Sequence, residues 1–319
     1  MKSLLAALFP SDCRICQSSL FTISRLPVCS SCIESIKAIE LARCNVCGDL
    51  LASAEAAFGD ARCGGCAAEG PAFERAVNYG AYTGALRQLI HLLKYERIRA
   101  AAQPLGRLTA AACLQLEGDI DVDELLMIPV PVHKLRMRSR GFNQAELIAR
   151  AAQRGIEEAT GRRVVLDGTA LLRVRFAESQ VGLTVEERRQ QIRGAFKVCA
   201  RERVKGREIL LVDDVLTTGA TASECARELL HAGAARVWVA TPARALGREP
   251  QAEELGGSSA AVEGAALAES SFVNRSICLS LPGISQVGAA QVDLLRRRGN
   301  ALKHGGQRAG RLRLGACPL

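Results

Sequence analysis

The sequence predicts an α/β protein in which a parallel sheet flanked by helices follows a small N-terminal metal-binding domain. From Tyr79 onward, short apolar runs alternate with helical stretches, as in a doubly wound parallel sheet. Ahead of Gly70-Pro71, eight of the thirteen cysteines stand in Cys-x-x-Cys pairs, with too little apolar sequence around them to fold without metal. We therefore predict a metal-binding domain at residues 1–70, an α/β domain at 71–245 and a low-order basic tail at 246–319.

The cysteine pairs are typical of structural zinc sites. The N-terminal apolar stretch is too short for a secretory signal, and no run approaches the ~20 apolar residues that span a bilayer. We therefore expect no membrane span and a reducing, cytoplasmic location, which disfavours disulfides. A redox role is plausible for one pair but not for four, and eight thiolates make two tetrahedral Zn²⁺ sites. Spacing leaves open whether adjacent or alternate pairs share a metal. The predicted ligands are Cys13, Cys16, Cys29, Cys32, Cys44, Cys47, Cys63 and Cys66.

Periodicity and breaker residues place the elements of the α/β domain. The first predicted helix carries an apolar stripe at i, i+3, i+4 and i+7, formed by Leu86, Leu89, Ile90 and Leu93. Further helices are predicted from Pro104 to about Leu116, from Asn143 to about Glu158, over Thr184–Arg193, and from about Thr221 to His231 with Gly233 after its end. Strands are predicted at Leu125–Val130, Val164–Arg175, Phe196–Val198, Ile209–Val212 and Val237–Thr241.

The strand Ile209–Val212 leads into the most informative segment of the chain. Asp213 and Asp214 follow it directly, at the strand end where open α/β sheets bind ligands. A hydroxyl-rich turn then precedes a helix whose N-terminus favours anions. The carboxylates can accept hydrogen bonds from ribose hydroxyls while the turn binds a phosphate, and the segment resembles the ribose-5-phosphate site of type I phosphoribosyltransferases. An acidic metal site, a solvated strand end or another phosphate binder are the alternatives. The predicted turn residues are Thr217, Thr218, Gly219 and Thr221.

A basic segment offers the cations that a pyrophosphate leaving group needs, normally together with Mg²⁺. After the Leu125–Val130 strand, basic residues occupy every second position. In an extended loop this alternation would put all four charges on one side. The alternative is a solvated basic loop. A lone histidine beside a proline-bounded strand, such as the neighbouring His133, is more often structural than catalytic. The four residues are Lys134, Arg136, Arg138 and Arg140.

Together these blocks resemble the ComF (competence protein F) family over about Cys13 to Arg244. The resemblance implies a double zinc ribbon joined to a type I phosphoribosyltransferase domain that binds phosphoribosyl pyrophosphate (PRPP) with Mg²⁺. It places Arg140 and Asn143 where the basic loop meets the next helix. Ala177 and Gln191 depart from the usual Thr and Asn of the family on the acceptor side. The matching blocks are the cysteine pairs, Leu92-Leu93-Lys94-Tyr95, Pro129-Val-Pro-Val-His133, Arg140-Gly-Phe-Asn-Gln144, Arg188 through Phe196, the 209–221 motif and Thr241-Pro-Ala-Arg244.

Two classes of function fit this sequence. In the first, a phosphoribosyltransferase transfers the ribosyl group of PRPP to a nitrogenous acceptor in nucleotide metabolism or DNA uptake. In the second, a non-catalytic competence protein binds single-stranded DNA, or senses PRPP, together with the competence machinery. The net charge of +9 suits phosphates of any kind. However, 3 Tyr and 1 Trp are few for a base-stacking platform.

Overall fold

The computed structural model describes residues 11–21, 24–51, 61–175 and 190–246. The first helices and strands of this part are β1 (Ser11–Asp12), β2 (Ser19–Leu20), α1 (Ser30–Glu34) and α2 (Gly64–Ala68). They are followed by β3 (Arg75–Ala81), α3 (Gly84–Lys94), α4 (Ala102–Cys113), β4 (Glu124–Pro129), α5 (Lys134–Arg140) and α6 (Gln144–Thr160). The last are β5 (Arg163–Leu166), β6 (Leu171–Arg173), β7 (Phe196–Val198), α7 (Arg201–Val204), β8 (Glu208–Val212), β9 (Val215–Leu216), α8 (Ala220–His231) and β10 (Arg236–Arg244).

The central sheet is parallel throughout, which confirms the predicted fold class. Its strand order is β3-β10-β8-β4-β5, and β9 pairs with the end of β10. Strand β8 is central, with β10 and β4 on either side, and all five of its residues are buried. This explains its continuous apolar run, because a parallel sheet covered on both faces has no polar side. The 209–221 motif therefore starts from the middle of the sheet.

Two apolar clusters cover the two faces of the sheet. Leu210 and Val212 belong to the cluster formed with α3, α4 and α6, whereas Ile209 and Leu211 belong to the cluster formed with α8, β6 and β7. This alternation follows from the two-residue period of a strand. Both clusters hold the motif strand rigidly from either side, so the carboxylates after Val212 start from a fixed backbone position.

The cysteine-rich segment packs against β3. The N–H of Ala76 donates to the Val46 carbonyl at 2.7 Å, and the N–H of Ile39 donates to the Tyr79 carbonyl at 2.9 Å. Strand β3 was not predicted, because Asn78 and Gly80 interrupt its apolar pattern. Both residues serve this contact: Asn78 accepts a hydrogen bond from Arg43 through its carbonyl, and a Cβ at Gly80 would lie 2.8 Å from the Lys37 carbonyl oxygen.

The structure contradicts one other sequence prediction and covers only part of two more. The single strand predicted over Val164–Arg175 is wrong, because Asp167 caps a turn that divides it into β5 in the central sheet and β6 in a separate pair with β7. Of the helix predicted over Thr184–Arg193, residues 190–192 are helical and the earlier part lies outside the described residues. The tail prediction also falls almost entirely outside them, and the boundaries at 70 and 245 stay predictions.

Candidate functional site

The two carboxylates of the motif lie side by side but differ in their partners. Asp214 is buried, and its Oδ1 accepts from the Lys94 ammonium at 2.8 Å. Its other oxygen, Oδ2, is buried without a hydrogen-bond partner among the described residues. Asp213 is half-buried; its N–H donates to the Ala240 carbonyl at 3.2 Å, and its Oδ1 accepts from the Asp214 N–H at 2.8 Å. One carboxylate is thus ion-paired, and the other is half-buried and hydrogen-bonded to the main chain.

The electrostatic surroundings of the two acids come from two cations that sequence reasoning missed. Burial and the neighbouring Asp214 raise the pKa of Asp213 to about 7, although the Asp214 N–H, Lys94 and Arg173 act in the opposite direction. Burial alone would lower the pKa of Lys94, but the Asp214 carboxylate raises it. Lys94 ends α3 and Arg173 ends β6. Two cations therefore face two carboxylates, so the pair is close to charge balance.

The hydroxyl-rich turn forms the start of α8. Gly219 is the N-cap residue and has a φ of 77°, in the left-handed region that favours glycine. The Ala220 N–H donates a hydrogen bond to the Thr218 hydroxyl oxygen, with an N–O distance of 3.4 Å. Thr217 is exposed, and Thr221 lies in the first helical turn. Because the first N–H groups of a helix have no partners within the helix, this end can bind a phosphate. The four predicted turn residues are thus brought together at one helix terminus.

The basic segment is helical, so the predicted extended loop is wrong. Residues 134–140 form α5, which begins at His133, whose side chain accepts from the Leu135 N–H, and ends at Gly141 in the left-handed conformation. In a helix, positions two apart point about 200° apart, so Lys134 and Arg138 share one side while Arg136 and Arg140 share another. The four charges therefore do not act as one group. The capping contact of His133 is a structural role.

The contacts of these basic side chains separate them further. Burial lowers the pKa of Arg173, and the positive charge of Arg136 lowers it more, so Arg136 lies near the cation that faces Asp213. Arg140 instead donates to the Gln144 side chain at 2.6 Å. Arg136 is therefore linked to the carboxylate site through Arg173, and the pyrophosphate role of all four stays a prediction.

Asn143 occupies the junction between the basic segment and α6. Its side chain accepts from the Ala145 N–H at 3.0 Å and donates to the Val130 carbonyl at 3.1 Å. It is buried. Because Val130 follows β4, these two bonds tie the end of that strand to the start of α6. Asn143 is thus placed to orient the segment, whether or not it meets a ligand.

The eight paired cysteines form two clusters. In each cluster all four Sγ atoms lie within 4.8 Å of one another, and the grouping is Cys13, Cys16, Cys29 and Cys32 in the first and Cys44, Cys47, Cys63 and Cys66 in the second. Adjacent pairs therefore share a site, which settles the alternative that spacing had left open.

The sulfur distances fit zinc. The Sγ atoms of Cys13 and Cys32 are 3.9 Å apart, and those of Cys47 and Cys63 are 3.6 Å apart. A tetrahedron with Zn–S bonds of about 2.3 Å has edges of about 3.8 Å, whereas a disulfide requires about 2.05 Å. Burial would raise the pKa of Cys13, but N–H donors of Cys16, Cys29 and Ile15 outweigh it and lower the pKa to about 6. This thiol is thus prepared to bind metal as a thiolate.

Comparisons with known proteins agree with the cysteine clusters and identify the family. Residues 4–69 match the family model "Double zinc ribbon domain". The chain is 31% identical to the DNA utilization protein YhgH of Escherichia coli O157:H7 over 231 residues, covering 72% of this chain and 95% of that protein. It is 29% identical to competence protein F of Haemophilus influenzae over 240 residues, covering 74% and 98%. The chain therefore belongs to the family of competence protein F and YhgH, which confirms the ComF resemblance.

A solved structure of another protein resembles part of the chain. It is the glutamine PRPP amidotransferase from B. subtilis in complex with ADP and GMP, at 21% identity and a TM-score of 0.26. The match covers 44% of this chain and 26% of that one, so this chain spans about a quarter of its length. Within the described ranges, no helix is both long and apolar enough to cross a membrane.

Proposed function

We propose that this protein binds PRPP with Mg²⁺ at the carboxyl end of β8 and transfers its phosphoribosyl group to a nitrogenous acceptor. The observation that carries the proposal is the Asp214 carboxylate. One of its oxygens is paired with Lys94 at 2.8 Å, and the other is buried without a partner among the described residues. A buried unsatisfied acceptor costs about 1–3 kcal/mol. A ribose hydroxyl at this position would remove that cost.

The rest of the donor molecule has matching groups around the carboxylates. A 5-phosphate on that ribose would meet the turn at Thr217–Thr221 and the N-terminus of α8. Arg173 acts on the Asp213 carboxylate, and Arg136 acts on Arg173, so we assign the pyrophosphate to their side. Mg²⁺ prefers oxygen ligands and keeps several waters; the carboxylates at this edge would meet it through water, and it would neutralise charge on the pyrophosphate.

In the proposed transfer, the bond between C1 of the ribose and the pyrophosphate oxygen breaks while C1 bonds to the acceptor nitrogen. The electron pair of the broken bond leaves with the pyrophosphate, and the nitrogen then loses its proton to water or a base. Positive charge develops on the ribose next to Asp213 and Asp214, and negative charge develops on the pyrophosphate next to Arg136 and Arg173. Fixed charges that match this separation lower the barrier without a covalent nucleophile.

A second candidate function follows from the relatives. One relative is named for DNA utilization and the other for competence. A non-catalytic protein of this kind would bind single-stranded DNA through its basic residues, or would sense PRPP within the competence machinery. The thiol clusters fit a reducing compartment, and we propose the cytoplasm as its location.

Calorimetry with PRPP and Mg²⁺ separates these functions. Wild type should bind, and Asp213→Asn/Asp214→Asn should lose most of the affinity, because both ribose acceptors lose their charge. Asp121→Asn removes an exposed carboxylate outside the site and serves as the matched control. No binding by the wild type would exclude both the transferase and the PRPP sensor.

Pyrophosphate release with a panel of nitrogenous bases then distinguishes catalysis from sensing. Release that depends on one base supports the transferase, whereas binding without release supports the sensor. For the DNA function, affinity for a single strand should fall steeply with salt, because phosphate contacts release counterions. An affinity that does not change with salt would contradict that function.

A further inference from the structure

The side chain of Arg244 is a buried cation that lies between the second cysteine cluster and the phosphate turn. Arg244 ends β10 and is only 4% exposed. A buried charge is costly unless hydrogen bonds and counter-charges surround it. Besides the carbonyl of the adjacent Ala245, its partners come from two segments that are far apart in sequence, so their contacts with Arg244 connect the cysteine-rich segment to the candidate ligand site.

On one side, Arg244 holds the backbone that enters the phosphate turn. Its Nη1 donates to the Leu216 carbonyl at 3.0 Å and also contacts the Thr217 carbonyl. The main chains pair at the same place, since β9 lies beside Ala243 and Arg244, and the Ala245 N–H donates to the Leu216 carbonyl at 2.9 Å. The guanidinium therefore fixes the two residues that immediately precede the phosphate-binding hydroxyl of Thr218.

On the other side, Arg244 binds the loop of the second cluster. Its Nε donates to the Cys47 carbonyl at 3.2 Å, and its Nη2 lies 3.4 Å from an Asp49 carboxylate oxygen. Cys47 is a predicted metal ligand. Gly48, between these two residues, has a φ of 72°, so the loop turns sharply in a conformation that favours glycine. The carbonyl that Arg244 contacts thus depends on how the cluster holds this loop.

We propose that Arg244 is a positioning residue through which the second cysteine cluster sets the conformation of the phosphate turn. The guanidinium is planar, and its donors form a fixed fork. If it loses its contacts with Cys47 and Asp49, the donors that hold Leu216 and Thr217 must therefore shift as well. Metal binding at the second cluster and phosphate binding at the turn are then coupled, and the coupling is reciprocal. The identity of the phosphate ligand rests on the proposed function; the coupling does not.

Hydrogen exchange of the Ala220 and Ser223 amides, which donate to the Thr218 hydroxyl and the Gly219 carbonyl, tests this in the full-length, zinc-loaded protein. Arg244→Met should raise exchange there by about tenfold to a hundredfold, the effect of losing one hydrogen bond to a charged group. Arg236→Met is the matched control, because Arg236 is an ion-paired arginine at the other end of the same strand, bound to Glu208. It should leave exchange in the turn unchanged.

The two cysteine clusters supply a second matched comparison. Cys47→Ser/Cys63→Ser, which loses the second metal, should raise exchange at the turn as Arg244→Met does. Cys16→Ser/Cys29→Ser, which loses the first metal, should not, because no contact of Arg244 involves that cluster in the described residues. Zinc content should fall from two to one per chain in both. Equal effects of the two cysteine variants, or an unchanged turn in Arg244→Met, would overturn the coupling.

Arg244→Lys covers the case in which Arg244→Met does not fold. It keeps the charge but cannot reach both segments with a fork of donors, so it should fold and still raise exchange at the turn; protection equal to wild type would overturn the proposal. A titration with PRPP separates the coupling from the proposed function. If the wild type fails to bind PRPP, the proposed function is wrong, while the exchange results still decide the coupling.

Discussion

Replacing Asp213 by Asn should make the protein more stable at alkaline pH and leave it nearly unchanged at acid pH. The pKa of Asp213 is raised from its ordinary value of 3.8 to about 7, by burial and by the Asp214 carboxylate. Between these two values the folded protein holds a proton that the unfolded chain has released. The free energy of unfolding therefore falls as pH rises through this range. The asparagine amide carries no charge, and its oxygen can still accept from the Asp214 N–H.

The size of the effect follows from the shift. About three pH units correspond to about 4 kcal/mol. Because Asp213 is only half-buried, water screens the charge, and we expect about half of this, about 2 kcal/mol. The window from pH 5 to pH 8 covers about two-thirds of the titration, so wild type should lose about 1–1.5 kcal/mol relative to Asp213→Asn across it.

Urea unfolding followed by fluorescence measures this difference. The chain has a single tryptophan, Trp238, which is buried in β10 and donates to Glu208 at 2.9 Å. Its emission therefore reports on the central sheet. Asp121→Asn, which removes an exposed carboxylate, should follow wild type at both pH values. A difference between wild type and Asp213→Asn that is the same at pH 5 and pH 8, or that grows toward acid pH, would refute the reasoning.

Three further substitutions test other contacts, with stability measured by the same unfolding assay. Lys94→Met should cost about 3–5 kcal/mol because it leaves the Asp214 charge buried and unpaired, and adding Asp214→Asn should recover part of that loss; no recovery would argue against the ion pair. Asn143→Ala removes the cap of α6 and should cost about 1–2 kcal/mol, more than alanine at the exposed Gln17 position. Gly219→Ala forces a side chain into the left-handed region and should cost about 1–2 kcal/mol, together with weaker PRPP binding; unchanged binding would place the phosphate elsewhere.

Local pattern predicted the strands and helices that carry strong periodicity. The β8 run and the Leu86–Leu93 stripe were both confirmed, since each belongs to an element whose burial dictates its composition. The cysteine pairs likewise predicted two metal sites, because a tetrahedral zinc site needs four sulfurs and consecutive pairs supply them. These features depend on residues near one another in sequence.

The features that escaped prediction depend on contacts between distant segments. Strand β3 has a weak pattern because part of its surface serves the cysteine-rich segment. Lys94 reads as the polar end of an amphipathic helix, and only the fold brings it 2.8 Å from Asp214. The basic segment was wrongly predicted as extended because every-second-residue charge resembles a strand, whereas capping by His133 and Gly141 makes it a helix.

Asp213 and Asp214 have the same side chain but different properties, because their neighbours differ. Asp214 is held by Lys94 and keeps one buried oxygen without a partner, which suits a fixed acceptor for a ribose hydroxyl. Asp213 is half-buried and has a pKa of about 7, so a cation arriving with the ligand would displace its proton. Binding of Mg²⁺ and PRPP should then release protons near pH 7, and the enthalpy should depend on the ionisation enthalpy of the buffer. Two carboxylates whose environments separate their titration can divide the work of one site. In the proposed function, Asp214 would orient the sugar and Asp213 would balance the positive charge of the Mg²⁺ that arrives with the pyrophosphate.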